Sequence, residues 1–219
     1  MKKTFIISAL AAFGLVLFSS NHANAQSESG QSVLSLHAGF SVTGGLIKAV
    51  FDNDIDITDT SGGMTTGYLN SSVSGGPAIV AGWDLGLSER WSIGFIASTQ
   101  GWSGEANYSY LDDNNALVNE NLTFNLRRNN VSFCPKIHYG NGDNVDLYSG
   151  IRIGYVFWSS SWETNDPDFN DFSDFNAGRP NIGLTAFGGR FYFNDNFGAS
   201  FELNLGAPNI LGVGLNYKL

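Results

Sequence analysis

Two histidines are the residues best suited to acid–base chemistry in this chain of 219 residues. His37 and His138 each have the side chain of a general base, but no serine with an acid stands beside either one in the sequence. Distant strands would have to bring such partners together. Cys134 is the only cysteine in the sequence, which excludes an internal disulfide and a cysteine-built metal site. We therefore expect no catalytic residue and no cofactor, and predict that the chain is not an enzyme.

Acidic residues gather in three stretches of the sequence. The first contains Asp52-Asn53-Asp54-Ile55-Asp56, which is similar to the start of a calcium loop. A calcium loop has Gly at its sixth position and Glu at its twelfth, where this chain has Ile57 and Gly63. Solvated loop faces are the more common reason for such acidic runs, so we assign no metal ligand and leave calcium binding open.

A different set of polar residues alternates with apolar residues inside long runs. In 197–207, Phe197, Ala199, Phe201, Leu203 and Leu205 share one parity, while Gly198, Ser200, Glu202 and Asn204 share the other. This period of two is typical of a β-strand with one apolar face. The titratable residues with the polar parity include Asp84, Lys136, His138, Asp146, Arg152, Arg190, Glu202 and Lys218.

These charges are expected to neutralise one another, because a buried charge without a partner is costly. Arg152 and Glu202 stand near the middle of their strands, and we predict that they pair. Lys136, Arg190 and Lys218 are expected lower in the same interior. Their predicted partners are Asp84 and Asp146.

The alternating runs predict eight strands. The runs lie near 33–42, 77–88, 91–104, 131–139, 145–157, 182–194, 197–207 and 211–219. Tight connections at 88–90, 140–144 and 194–196 alternate with long predicted loops at 43–76, 105–121 and 160–181, and a final short one falls at 207–209. Short turns that alternate with long outer loops are typical of membrane barrels. The predicted fold is an all-β, eight-stranded, antiparallel up-and-down transmembrane β-barrel.

The N-terminus has the pattern of a secretory signal peptide. Lys2 and Lys3 precede an apolar run from Phe5 to Phe18, and Ala23-Asn24-Ala25 is a small-residue cleavage site. We predict a signal peptide over 1–25 and a barrel domain over 26–219; an uncleaved anchor is the alternative. Loss of the two lysines would lower the formal net charge from −9 to −11, which argues against nucleic-acid binding.

A soluble β-barrel or sandwich is the alternative to a membrane barrel. Its polar strand face would meet water and carry many charges, whereas the polar face of this chain is dominated by Gly, Ser and Asn. Aromatic residues also stand beside the short turns, where an interfacial girdle would lie: Trp91, Tyr139, Phe193, Phe197 and Tyr217. We therefore predict that the chain lies in the bacterial outer membrane, in contact with lipid.

Several segments resemble a known family. Gly76-Pro77-Ala78-Ile79-Val80-Ala81-Gly82, Leu87-Ser88-Glu89-Arg90-Trp91-Ser92 and Ser98-Thr99-Gln100-Gly101 resemble the second and third strands of the PorT-like outer-membrane β-barrel proteins of Bacteroidetes. Asn130-Val131-Ser132-Phe133-Cys134-Pro135-Lys136-Ile137 resembles the next strand of that family. The resemblance implies a small OmpA/OmpX-type barrel in the outer membrane and no single shared activity. The chain ends in Asn216-Tyr217-Lys218-Leu219 rather than in the usual Phe.

The main functional prediction is a non-enzymatic outer-membrane barrel with a lumen filled by side chains. Its three long loops would serve surface interaction or envelope integrity. The third loop mixes acids with aromatic residues, as recognition surfaces do: Trp158, Trp162, Phe169, Phe172 and Phe175. A narrow channel for small solutes is one alternative, and an enzyme that modifies outer-membrane lipids is another.

Overall fold

A computed structural model describes residues 28–51, 54–59, 65–111, 116–139, 144–165, 175–206 and 208–219, and the predicted signal peptide lies outside them. Ten strands follow one another in these segments: β1 (Ser32–Phe40), β2 (Asp54–Asp59), β3 (Thr65–Gly75), β4 (Ala78–Gly86), β5 (Trp91–Leu111), β6 (Leu117–His138), β7 (Val145–Thr164), β8 (Phe175–Tyr192), β9 (Phe197–Leu205) and β10 (Leu211–Lys218). Helix α1 (Val42–Phe51) follows β1. Within the described residues, no helix combines the length and apolar character that a membrane crossing requires.

Eight of the strands form a closed ring. The order around it is β1, β4, β5, β6, β7, β8, β9 and β10, and every neighbouring pair is antiparallel. β1 closes the ring by pairing with β10 from Val33↔Lys218 to Phe40↔Leu211. The predicted eight-stranded up-and-down barrel is therefore confirmed.

The two faces of the ring have opposite chemistry. Apolar side chains point outward and are exposed, including Leu36, Phe95, Val131, Ile153 and Leu215. The inward face holds buried polar and charged side chains, whereas a soluble barrel would bury its apolar face and expose its polar one. The ring is thus built to be surrounded by lipid, and we call its outward apolar surface the lipid belt.

Short turns join the strands at one end of the ring. The hydroxyl of Ser88 accepts hydrogen bonds from the backbone N–H groups of Arg90 (3.3 Å) and Trp91 (3.2 Å). The Asn194 carbonyl oxygen accepts in the same way from Asn196 (3.0 Å) and Phe197 (2.7 Å). These side chains replace the missing backbone partners of a tight turn. The predicted short connections at 88–90 and 194–196 are confirmed.

The three predicted long loops need correction, because strands run through most of them. Segment 43–76 contains most of α1 and all of β2 and β3, while β5 and β6 continue through 105–121 except at its tip. In 160–181, β7 runs to Thr164 and β8 begins at Phe175, so Trp158 and Trp162 lie on a strand; Phe169 and Phe172 lie outside the described residues. β6 has 22 residues. A strand of that length spans roughly 70 Å, far more than a lipid belt of about 25 Å.

Beyond the lipid belt the long strands form an open sheet, which we call the projecting sheet. It consists of β2, β3 and the outer parts of β5, β6, β7 and β8, in the order β2, β3, β5, β6, β7, β8. β3 pairs with β5 from Tyr68↔Ser109 to Gly75↔Trp102, and after Gly76 and Pro77 the chain continues as β4 along the inner part of β5.

The two faces exchange their chemistry where the ring becomes the projecting sheet. Trp102 stacks on Trp158 on the inner face, with ring centroids 5.9 Å apart. Phe124 packs near Trp162 on the same face at 5.4 Å. Exposed polar residues occupy the outer face, namely Ser103, Asn125 and Arg127. This inversion explains the wrong loop boundaries, because the loss of outward apolar residues looks like the end of a strand in the sequence.

A bulge in β8 also changes the parity of side chains. Tyr148 pairs with Gly188 and Gly150 pairs with Thr185, so β8 contributes one additional residue between these pairs. Ile182 and Leu184 therefore face outward on the outer-mouth side of the bulge, and Phe187 also faces outward on its other side despite its odd number. Alternation with a period of two along β8 predicts which residues face inward on one side of the bulge. On the other side it gives the opposite of the observed direction.

The boundary of the lipid belt can be tested on one face of β7. We expect Ile153→Arg, in the belt, to lower the free energy of unfolding by about 2–4 kcal/mol, because the guanidinium would face hydrocarbon. Ser161→Arg, with the same outward parity beyond the belt, should change it little. Urea unfolding of both variants in lipid vesicles measures the difference. Equal costs at the two positions would contradict the placement of the belt.

Candidate functional site

The structure places all eight predicted polar residues inside the ring. Asp84, Lys136, His138, Asp146, Arg152, Arg190, Glu202 and Lys218 are each 5% exposed or less. They come from β4, β6, β7, β8, β9 and β10, so they converge from six of the eight ring strands. We call these eight residues the lumen cluster.

One part of the lumen cluster is centred on Asp84. Its Oδ2 atom accepts a hydrogen bond from Lys136 Nζ at 2.8 Å and a second from Arg190 Nη2. Arg190 also donates from Nη1 to Asp146 Oδ2 at 3.2 Å. The third cation near Asp84 and Asp146 in the prediction is Lys218, and its Nζ lies 4.0 Å from the centre of the Tyr192 ring. Two carboxylates and two cations thus neutralise one another across β4, β6, β7 and β8.

The second part of the cluster is centred on Glu202. Its Oε2 atom accepts from Arg152 Nη2 at 2.6 Å, and its Oε1 atom accepts from the hydroxyl of Tyr148 at 2.8 Å. Lys136 Nζ and Arg190 Cζ each lie 4.7 Å from the centre of the Tyr148 ring, so this tyrosine joins the two parts of the cluster.

Gly188 provides the space for the Tyr148 ring. A Cβ atom at Gly188 would overlap that ring, whose nearest atoms belong to the edge of the aromatic system. Tyr148 is fully buried, and its position therefore depends on a residue without a side chain on the neighbouring strand. Alternation along 145–157 predicts the inward face for Tyr148 but gives no sign of its role.

The two histidines have partners that the sequence does not place beside them. His138 Nε2 lies 2.8 Å from Ser92 Oγ, and His138 Nδ1 lies 2.6 Å from Asp146 Oδ1. Ser92 is on β5 and Asp146 is on β7, on either side of β6. Pairing with strands on both sides therefore creates a Ser–His–Asp arrangement that no local motif encodes.

A similar arrangement surrounds His37. Its Nε2 atom lies 2.8 Å from Ser200 Oγ, and its Nδ1 atom lies 3.6 Å from Glu202 Oε2. All members of both arrangements are buried. The cavity beside Ser92 is about 10 Å³, which is about the room for one water molecule and far too small for a substrate. Both arrangements orient polar groups within the lumen.

The acidic stretch that is similar to a calcium loop is only partly described. Asp54 and Asp56 lie in β2, while Asp52 and Asn53 lie outside the described residues. Across the described segments, no group of three or more His, Cys, Asp or Glu side chains has an arrangement that would hold a metal ion.

Comparisons with known proteins find similarity in structure. No protein-family model matches the sequence, and no curated protein matches it. The N-terminal β-barrel domain of Pseudomonas aeruginosa OprF is 13% identical with a TM-score of 0.43, over 89% of this chain and all of that one. Ail, the attachment invasion locus protein of Yersinia pestis, is 12% identical with a TM-score of 0.43, over 87% and 99%. A de novo designed transmembrane β-barrel is 11% identical with a TM-score of 0.39, over 89% and 99%.

The fold of this chain is established by its own strand pairing. A closed ring of eight antiparallel strands with an outward apolar belt, short turns at one end and long strands at the other is the architecture of outer-membrane barrels. The chain is accordingly a small outer-membrane β-barrel.

The pair Arg152–Glu202 provides a test of the lumen cluster. Glu202→Gln leaves the Arg152 guanidinium buried without its carboxylate, and we expect a loss of about 3–5 kcal/mol in the free energy of unfolding. Arg152→Met should cost a similar amount. The double variant should cost less than the sum of the two, because neither charge is left alone. Urea unfolding in lipid vesicles gives all three values, and additive costs would show that the two residues do not act as a pair.

Proposed function

We propose that this outer-membrane barrel is non-enzymatic and acts through its projecting sheet, in surface interaction or envelope integrity. The observation that carries the proposal is the continuous pairing of β5 with β6 beyond the belt, from Gln100↔Arg128 to Leu111↔Leu117. Ordered hairpins of this length outside the membrane have no role in closing the barrel. They form a rigid surface that reaches away from the lipid.

The projecting sheet offers two kinds of contact. Its outer face presents exposed polar groups, among them Asn125 and Arg127. Its β8 edge pairs with β7 on one side, while pairing with β9 begins only at Leu184. Among the described strands, residues 175–183 of β8 therefore have a neighbour on one side only. An unpaired strand edge can accept an extended segment from another chain.

The lumen supports this proposal against the channel alternative. Its charges form ion pairs across the interior, and eight strands leave a lumen that side chains can fill. A path for solutes would require these pairs to separate. The alternative of a lipid-modifying enzyme has less support, because Ser92 and His138 are buried inside the ring beside a cavity of about 10 Å³. The resemblance to PorT-like proteins is part of the proposal and rests on the sequence segments alone.

Electrical recording tests the sealed lumen. The purified barrel should produce no stable single-channel steps in planar bilayers, because its lumen charges are paired across a narrow ring of eight strands. A general porin measured in the same membrane provides the positive control. Reproducible open steps from the unmodified barrel would support the channel alternative instead.

Removal of the outer β5–β6 hairpin, the centre of the projecting sheet, tests the surface role. A variant that lacks residues 105–123 and joins Gly104 to Phe124 through an Asn-Gly turn should still insert, because the ring pairs below Gly104 are intact. We expect cells with this variant to lose adhesion to one another and to immobilised proteins and polysaccharides. A change in gel mobility on boiling shows that the shortened barrel is folded. Unchanged adhesion with a folded barrel would contradict the proposal.

A further inference from the structure

Arg128 differs from the arginines of the lumen cluster in its partners. It is 6% exposed and lies at the outer mouth of the ring, where it donates to Thr43 Oγ1 (2.9 Å), Gln100 Oε1 (2.7 Å) and the carbonyl oxygen of Pro208. These acceptors are all neutral. Its guanidinium also lies 5.6 Å from the ring centres of Trp102 and Trp158.

No carboxylate of the described residues pairs with Arg128. Arg152 and Arg190, which are buried more deeply in the ring, each pair with an acid. A buried guanidinium is normally compensated by an anion, because neutral acceptors and aromatic rings offset only part of the cost of removing it from water. An anion beside Arg128 would therefore compensate the buried positive charge of its guanidinium.

A cavity of about 410 Å³ lies beside Arg128 at the outer mouth. Arg179 and Asn181 line it from β8, and Asn209 lines it from the turn between β9 and β10. Asn209 is 1% exposed, yet neither atom of its amide bonds to any described residue. The amide Nδ2 of Asn181 likewise has no protein partner in the described chain. Two cations and unsatisfied amides are the groups that bind a phosphate.

An apolar cleft of about 470 Å³ lies next to this cavity on the outside of the ring. Its walls include Ile151, Ile182, Leu184 and Leu205, and Ile182 is 76% exposed. The cleft lies where β9 leaves the sheet, since Leu184↔Leu205 is the last pair between β8 and β9. Gly206 turns the chain there with a φ of 101°, a conformation that favours glycine, and it lines both the cleft and the cavity.

We propose that the cavity at the outer mouth and the apolar cleft beside the end of β9 together form a binding site. Its ligand is an anionic, phosphate-bearing lipid of the outer leaflet. The acyl chain lies in the apolar cleft against Ile182, Leu184 and Leu205. The phosphate crosses the rim at Gly206 and lies between Arg128 and Arg179. The site depends on the membrane location of the barrel, and its residues Arg179 and Ile182 belong to the β8 edge of the projecting sheet.

The test measures lipid retention by the purified full-length barrel. Native mass spectrometry in detergent counts the bound lipids during titration with phosphatidylglycerol, which has a net negative headgroup, or with phosphatidylcholine, which has none. We expect a single saturable site for phosphatidylglycerol and only weak binding of phosphatidylcholine. Glycerol phosphate, the soluble anion without acyl chains, should bind much more weakly than the lipid.

Matched variants assign the binding to this site. Arg179→Gln should weaken phosphatidylglycerol binding by about tenfold, the effect of losing one charge-assisted hydrogen bond. Arg127→Gln removes the same charge from an exposed arginine on the other face of the sheet and should have little effect. Leu184→Ala should weaken lipid binding, whereas Leu36→Ala, in the belt on β1 away from the cleft, should not.

Three results would overturn the proposal. Equal binding of both lipids would show that the headgroup charge is not recognised. Equal losses in Arg179→Gln and Arg127→Gln would show diffuse electrostatic attraction. Glycerol phosphate binding as tight as that of the lipid would show a site for soluble anions. The gel-mobility shift of each variant reports separately on the folded barrel, so loss of lipid binding and loss of the membrane fold are distinguishable.

Discussion

Neutralisation of charge inside a narrow ring is the constraint on which the rest of the structure depends. Eight strands enclose too little space for a water-filled lumen, so each inward charge needs a partner from another strand. Asp84 meets Lys136 and Arg190, Glu202 meets Arg152, and Tyr148 connects the two groups. A slip of one residue in any pairing would turn such a side chain into lipid. The lumen cluster therefore specifies strand register as well as filling the interior.

Side chains alternate with a period of two along each long strand, both within the lipid belt and in the projecting sheet beyond it. Within the lipid belt the apolar parity faces outward, and beyond it Trp102, Phe124 and Trp158 face inward while polar residues face outward. The backbone hydrogen bonds continue across this boundary without interruption, because β5 and β6 are paired from Trp91↔Ile137 to Leu111↔Leu117. The surrounding medium, lipid or water, thus determines whether apolar or polar residues face outward. The pairing of the strands is the same in both.

This division explains what the sequence can predict. Parity is local, so the inward position of residues such as Arg152 and Glu202 follows from their neighbours in the chain. Register between strands is not local, and the contact of His138 with Ser92 on β5 and with Asp146 on β7 depends on it. The sequence predicts loops in place of the projecting sheet for a related reason. Its strands lose the outward apolar pattern that identifies a strand in lipid, although their hydrogen bonding is unchanged.

The closed lumen also determines where binding can occur. Lys136, Arg152 and Arg190 inside the ring have carboxylate partners from the same chain, which leaves them no charge to offer a ligand. Arg128 at the outer mouth has only neutral acceptors among the described residues, and the ring is open beside it because β9 ends before β8 does. Unequal strand length thus creates an edge for the projecting sheet and a lateral opening at the mouth. Both proposed surfaces of interaction depend on the early end of β9, and neither requires the lumen to open.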